Sequence, residues 1–179
     1  FSSKKSTLRI GLGVGYQLSK KLSVQAGFFA SSKKYVAGPQ DYKAKPGSYW
    51  SIVDITKIDA DCRVYEIPLS LRYDFNNNKK IGFFSSAGLS SYFMKKEAYH
   101  YYYYRGGVAH DAEATYKGNQ NLFSVIRFSS GIEKKLSKQL LFNAAPGVAI
   151  PLAGVGEGQV KLYSLEFMVG IKFIHVSKK

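Results

Sequence analysis

Every second residue of Cys62–Phe75 belongs to one of two lists. Tyr65, Ile67, Leu69, Leu71, Tyr73 and Phe75 fall on one side, and Val64, Glu66, Pro68, Ser70, Arg72 and Asp74 on the other. A period of two over this length predicts a β-strand with an apolar and a polar neighbour. Aromatics stand toward the ends of the apolar list and aliphatics between them. That order suits a strand crossing a bilayer, with rings at the interfaces and aliphatics in the hydrocarbon.

The pattern recurs along the chain. Thr7–Leu18 sets Leu8, Ile10, Leu12, Val14, Tyr16 and Leu18 against Arg9, Gly11, Gly13, Gly15 and Gln17. A Ser19–Lys21 turn joins it to Leu22–Tyr35, which predicts a hairpin. Strands are also expected at Ile81–Phe93, after an Asn76–Lys80 turn, and at Leu122–Lys134, Leu140–Leu152 and Lys161–Ile174. Pro146 interrupts the sixth of these seven, where a bulge or broken ladder is expected, because proline has no N–H to donate. Long connections are expected over Val36–Asp61, where Ser51–Thr56 could add a short strand or a lid, and from the tyrosines after Phe93 to about Gln120. A Gly-rich loop follows at Ala153–Gln159. Short turns alternating with long loops match a transmembrane barrel with short periplasmic turns.

Alternation alone leaves open which face points inward. The polar list is rich in glycine (Gly11, Gly13, Gly15, Gly27, Gly82, Gly88, Gly131, Gly147, Gly170), which a narrow lumen would require and a wet sheet face would not. The same list carries Arg9, Lys33, Arg72, Arg127 and Lys172 with Glu66, Asp74, Glu133 and Glu166. These are expected to pair as a lumen charge network, since a buried charge without a partner is very costly. The fold expected is therefore all-β, a single domain over residues 1–179: an antiparallel up-and-down transmembrane β-barrel. Thr7–Leu18 would run from the cell surface inward, and single-chain barrels have even strand numbers. Seven strands here then imply an eighth, upward strand preceding Phe1.

Composition changes this picture little. The chain is 45% apolar with 14 Tyr and 12 Phe, and its mean hydropathy is −0.18. No apolar run reaches the roughly 18 residues of a membrane helix. The net charge of +14 raises nucleic acid as a partner. However, many lysines sit in separated turns (Lys20, Lys21, Lys79, Lys80, Lys134, Lys135, Lys138, Lys178, Lys179), so phosphate headgroups of outer-membrane lipid and lipopolysaccharide are expected and nucleic acid is not. The lone Cys62 excludes an internal disulfide.

Around Tyr65–Phe75 (YEIPLSLRYDF), with Cys62 ahead of it, the sequence resembles the small PorT-like outer-membrane β-barrel proteins of Gram-negative envelopes. Gly11–Ser31 and Leu162–Phe173 look like other strands of that family. The resemblance implies an integral outer-membrane barrel that serves as a subunit of an envelope complex, and it supplies no catalytic motif.

Candidate chemistry is sparse. Gly11-x-Gly13-x-Gly15 lies inside a strand, not between a strand and a helix as a nucleotide loop must. His100, His110 and His175 share no ligand spacing, so no metal, cofactor or enzymatic activity is expected. Tyr99, Tyr101, Tyr102, Tyr103, Tyr104 and Arg105, with Trp50 and Tyr49 from the other long loop, form either a partner-binding surface or an aromatic girdle or strand rising above the membrane. The function expected is a non-enzymatic anchor, subunit or signalling component that meets other envelope proteins through its loops. A soluble lipocalin-like barrel binding a small apolar ligand is the alternative, and a narrow pore the third reading.

Overall fold

A computed structural model describes residues 3–4, 7–76 and 80–174. Parts of the turn expected at Asn76–Lys80, together with Phe1, His175, Lys178 and Lys179, lie outside the described residues. The chain folds as one curled, antiparallel, all-β sheet, a half-barrel. Its strands are β1 (Ser3–Lys4), β2 (Arg9–Gln17), β3 (Leu22–Ala37), β4 (Asp54–Asp74), β5 (Ile81–Arg105), β6 (Val108–Tyr116), β7 (Gln120–Lys135), β8 (Leu140–Pro151) and β9 (Ser164–Phe173). The order β2-β3-β4-β5-β7-β8-β9 runs across the sheet, with β1 beside the far end of β3 and β6 beside the far end of β5. Among the described residues, β2 pairs only with β3 and β9 only with β8. The up-and-down order expected from the sequence is therefore present, and ring closure is not.

Two strands beyond the expected seven arise because three of the long ones continue past their expected limits. β3 reaches Ala37 and β4 begins at Asp54, so the first connection is residues 38–53, with a single 3₁₀ turn at Tyr49–Ser51. β5 runs for 25 residues to Arg105 and turns at Gly106–Gly107 (φ +58° and +80°) into β6. The second expected loop is thus a hairpin. Tyrosine and β-branched residues favour extended backbone, and the paired glycines supply the left-handed turn.

The continuation of β4 divides the molecule into two storeys. Below Val64 its outward residues are Tyr65, Ile67, Leu69, Leu71 and Tyr73, all but the half-buried Tyr65 exposed, and its inward residues include Glu66, Arg72 and Asp74, all buried. Above Val64 the arrangement inverts: Lys57, Asp59, Asp61 and Arg63 face out, while Ile58, Ala60, Cys62 and Val64 are buried. β5 follows the inversion through a bulge. Arg63 pairs with Lys96 and Val64 with Met94, leaving Lys95 as an extra residue. One inserted residue exchanges the faces of a strand, so Tyr92 and Met94 point inward below the bulge and Glu97, Tyr99 and Tyr101 point inward above it.

Pro146 has the expected effect on one side only. The β7–β8 register runs to Ser129–Gly147 and resumes at Ile132–Ala144, whereas β8–β9 pairing is continuous through Pro146–Phe167. Gly88 and Gly131 occur where the neighbouring strand is too close for a side chain. A Cβ on Gly88 would meet the Leu69 carbonyl oxygen and Ser70. Gly88→Ala is expected to cost about 1–3 kcal/mol by overpacking. Gly106→Ala, with nothing within 4 Å, should cost only the left-handed backbone penalty of about 1–2 kcal/mol. Urea midpoints of the two variants, compared at equal slope, check the ranking.

Candidate functional site

In the lower storey the interior is a network of charges. Glu66, with no exposed surface, accepts from Arg9 Nη1 at 3.0 Å, from Ser90 Oγ at 2.8 Å and from Arg127 Nη2 at 2.8 Å. Arg127 also meets Glu166, and its Nε donates to Ser90 Oγ. Arg9 Nη2 lies 3.8 Å from Glu166. Tyr92 OH accepts from Arg127 Nη2 at 3.0 Å and from the buried Lys33 Nζ at 2.9 Å. Nearer the short turns, Arg72 donates to Asp74 at 2.7–2.8 Å and pairs with Glu133 at 2.8 Å, and Lys172 stands 3.8 Å from Glu133. All nine charged residues expected in the lumen are thus brought together, eight of them in two groups of ion pairs and Lys33 through Tyr92. The period of two makes this possible, because Arg9, Glu66, Arg127 and Glu166 sit on the same face of four different strands.

The upper storey is an aromatic dome. Tyr35, Ile58, Cys62, Tyr99 and Tyr101 form its buried wall, covered by two inward-folded loops, the second of which packs its own Val155, Val160 and Leu162 into the core. The first loop, residues 38–53, inserts Tyr42, whose OH is 2.9 Å from that of Tyr101, and stacks Trp50 on the Tyr101 ring at 3.7 Å. Trp50 Nε1 donates to Tyr116 OH. The second, residues 152–163, is latched by Glu97, fully buried, which accepts from Tyr99 OH (2.7 Å), Asn119 Nδ2 (2.6 Å) and the Glu157 backbone N–H (2.8 Å). Lys45 joins the two loops through a 2.7 Å bridge to Glu157, which raises the lysine pKa. Burial pushes the Tyr42 hydroxyl up to about 12 and those of Tyr99 and Tyr101 well above the usual phenol range.

The proposed partner-binding residues are therefore divided. Tyr99 and Tyr101 lie in the wall of the dome, and Trp50 and Tyr103 are half-buried against it. The outer face of β5 and β6 carries the half-buried Tyr102 and the exposed Tyr104, whereas the exposed Arg105 lies on the dome side, its Nη1 3.5 Å from Tyr49 OH. On the outer face His100 stacks on Tyr102 (4.6 Å) and lies 2.9 Å from Asp111 and 3.7 Å from Glu113. Of the side chains that matter here, Glu97, Asn119 and Glu157 escaped sequence reasoning, because nothing in the order of residues marks two loops that meet over one strand. Among the described residues, no group of three or more His, Cys, Asp or Glu side chains is placed to hold a metal ion.

No family model, curated protein or solved structure matches the chain.

Arg127→Met should destabilise the fold by about 3–5 kcal/mol, since it leaves two carboxylates, Glu66 and Glu166, to share the single guanidinium of Arg9; equilibrium unfolding in denaturant measures this. Alkali should open the dome. Tyr42 holds its proton more tightly when folded, so its contribution is complete below pH 10 and is lost as pH rises from 10 toward 12. The emission of Trp50, the single tryptophan, should shift to the red over that window as its tyrosine stack separates.

Proposed function

We propose that the protein is a non-enzymatic integral outer-membrane β-barrel that anchors, or serves as a subunit of, a cell-envelope complex. The observation that carries this reading is the inversion along β4. One continuous strand presents lipid-compatible residues over one half and water-compatible residues over the other, so its outer surroundings change solvent at Arg63–Tyr65. The lower band extends round the sheet: Leu12 is 84% exposed, Leu165 89% and Phe173 76%. Patches of this extent on a water-soluble surface would be sites of association. In a bilayer they are the ordinary outer wall. Arg63, Lys95 and Lys96 are exposed just above that band, and Lys95 Nζ donates to Tyr65 OH at 3.0 Å. Such a basic fringe fits the phosphates of lipid headgroups and lipopolysaccharide.

The soluble lipocalin-like alternative needs an apolar interior at mid-height, where the paired charges of Glu66 and Arg127 stand instead. Transport is disfavoured by the same plug and by the two loops that roof the dome. Anchoring accords with the resemblance to PorT-like barrels, and it leaves Tyr102 and Tyr104 on the outer face as the contact surface for another envelope protein, tyrosine being enriched in interface hot spots. The finer architecture proposed is a transmembrane barrel of eight strands, seven of them supplied here.

The reading is checked by extraction. The protein should remain in membranes through carbonate and high salt, require detergent for release, and migrate differently on gels before and after boiling. Release into buffer without detergent would overturn it. Tyr102→Ala combined with Tyr104→Ala should weaken capture of an envelope partner by about 30-fold, the size of a 2 kcal/mol hot spot, with unchanged gel behaviour.

A further inference from the structure

Among the described residues the backbone of β6 pairs with β5 alone. Every second residue of the strand therefore directs its N–H and C=O away from the sheet. We infer that this edge receives an extended segment of a partner protein as an added strand. The segment carries Lys or Arg at the positions that face outward and large apolar residues at those that face the dome. The inference rests on the envelope-partner reading above for the source of the segment, and it adds the edge, the mode of recognition and the chemistry of the occupant.

Edge geometry carries the first part. Strands at the margin of a sheet are commonly short, bulged, interrupted by proline or studded with lysine, which discourages another strand from pairing. β6 is nine residues long, and its sequence, VAHDAEATY, holds neither proline nor lysine. Its register with β5 runs unbroken from Glu97–Tyr116 to Arg105–Val108. At the opposite margin of the upper storey β1 already lies along β3, pairing Ser3 with Val36 and Lys4 with Tyr35.

Charge carries the second part. In a chain of net charge +14, the outward face of β6 bears two carboxylates, Asp111 and Glu113, 67% and 82% exposed. The strand holds no lysine or arginine to offset them. Both carboxylates lean on a single imidazole, that of His100 on β5, at 2.9 Å and 3.7 Å. Two acids against one imidazole leave the face acidic. Opposite charges on neighbouring strands stabilise the pairing and like charges oppose it, so the edge selects a basic strand.

The inner face sets the other half of the pattern. Ala112, Ala114 and Tyr116 are half-buried on the dome side, and Ala114, Tyr116, Trp50 and Tyr103 all pack against its core. Two alanines there leave room for larger side chains on the next strand, which would extend the dome wall. The period of two then alternates basic with apolar residues along the occupant.

A second copy of the chain fits poorly. Antiparallel pairing of two β6 strands over their full length centres on Ala112 and sets Asp111 opposite Glu113 twice. Parallel pairing sets each carboxylate beside its own counterpart. Both arrangements bring like charges together.

Binding of synthetic peptides to the full chain in neutral detergent tests the edge. One nine-residue peptide, matched to the length of β6, alternates Arg with Ile. A second alternates Glu with Ile, and a third is the arginine peptide N-methylated on every backbone amide. The arginine peptide should bind and slow amide exchange along β6, and each of the others should bind at least about 10-fold more weakly. Asp111→Lys with Glu113→Lys should reverse the preference between arginine and glutamate peptides, with Trp50 emission unchanged as the check on folding. Equal binding of the methylated peptide, exchange in β6 that the arginine peptide leaves unaltered, or indifference to the charge reversal would overturn the inference. So would failure of the arginine peptide to bind at all. Slow β6 exchange without peptide, together with the mass of a dimer, would overturn it in favour of self-pairing. Membrane retention is read separately by carbonate extraction, so failure of the membrane reading and failure of the edge reading give different results.

Discussion

Glu66 sits without exposed surface between two guanidiniums, Arg9 and Arg127. The lower storey depends on this arrangement. A carboxylate in a desolvated interior is tolerated only when its lone pairs are met by charged or hydroxyl donors, and here Arg9, Ser90 and Arg127 meet them from three other strands. Because those donors come from β2, β5 and β7, the pairing fixes strand register as well as compensating charge. A one-residue slip of any of the three would remove its side chain from the interior altogether.

The dome is stabilised differently. Its interior is aromatic and aliphatic, and its polar bonds run among tyrosine hydroxyls and two buried carboxylates, Glu97 and Glu157, that tie the loops down. The storeys differ because the exterior differs. Where the outer wall is apolar, the polar residues of an alternating strand must face inward and find one another. Where the outer wall is charged, the apolar residues face inward and pack. The same backbone ladder serves both, and only the phase of the alternation changes.

Much of the lower storey could be read from residue order. Period two located the seven strands of the main row, and the inward list named the nine charged residues that meet there, because each strand there keeps one phase over its length. The upper storey was less legible for a physical reason. In β4 the apolar residues move from odd to even positions near Val64, so a reader who follows one list sees the strand begin at Cys62. In β5 the bulge at Lys95 shifts the phase without any local cue, and consecutive tyrosines give no alternation to follow. Loop packing by Tyr42, Trp50 and Glu157 rests on contacts between segments far apart in sequence, which periodicity does not encode. Ring closure was also beyond reach, since alternation describes each strand and not the partner at its edge.

Lys95 has a consequence for how such a chain tolerates change. It acts as a phase shifter between two independently patterned lengths of one ribbon. Above or below it, β5 can gain or lose residues in pairs with every ring and hydroxyl still directed to its own side. An odd change anywhere along the ribbon would aim Tyr99 and Tyr101 at bulk water and bring His100 and Tyr102 under the roof. The spacing of apolar outer wall and dome is therefore adjustable only in two-residue steps of about 6.8 Å, a constraint that would govern the lengths at which such a dome can stand above the lower storey.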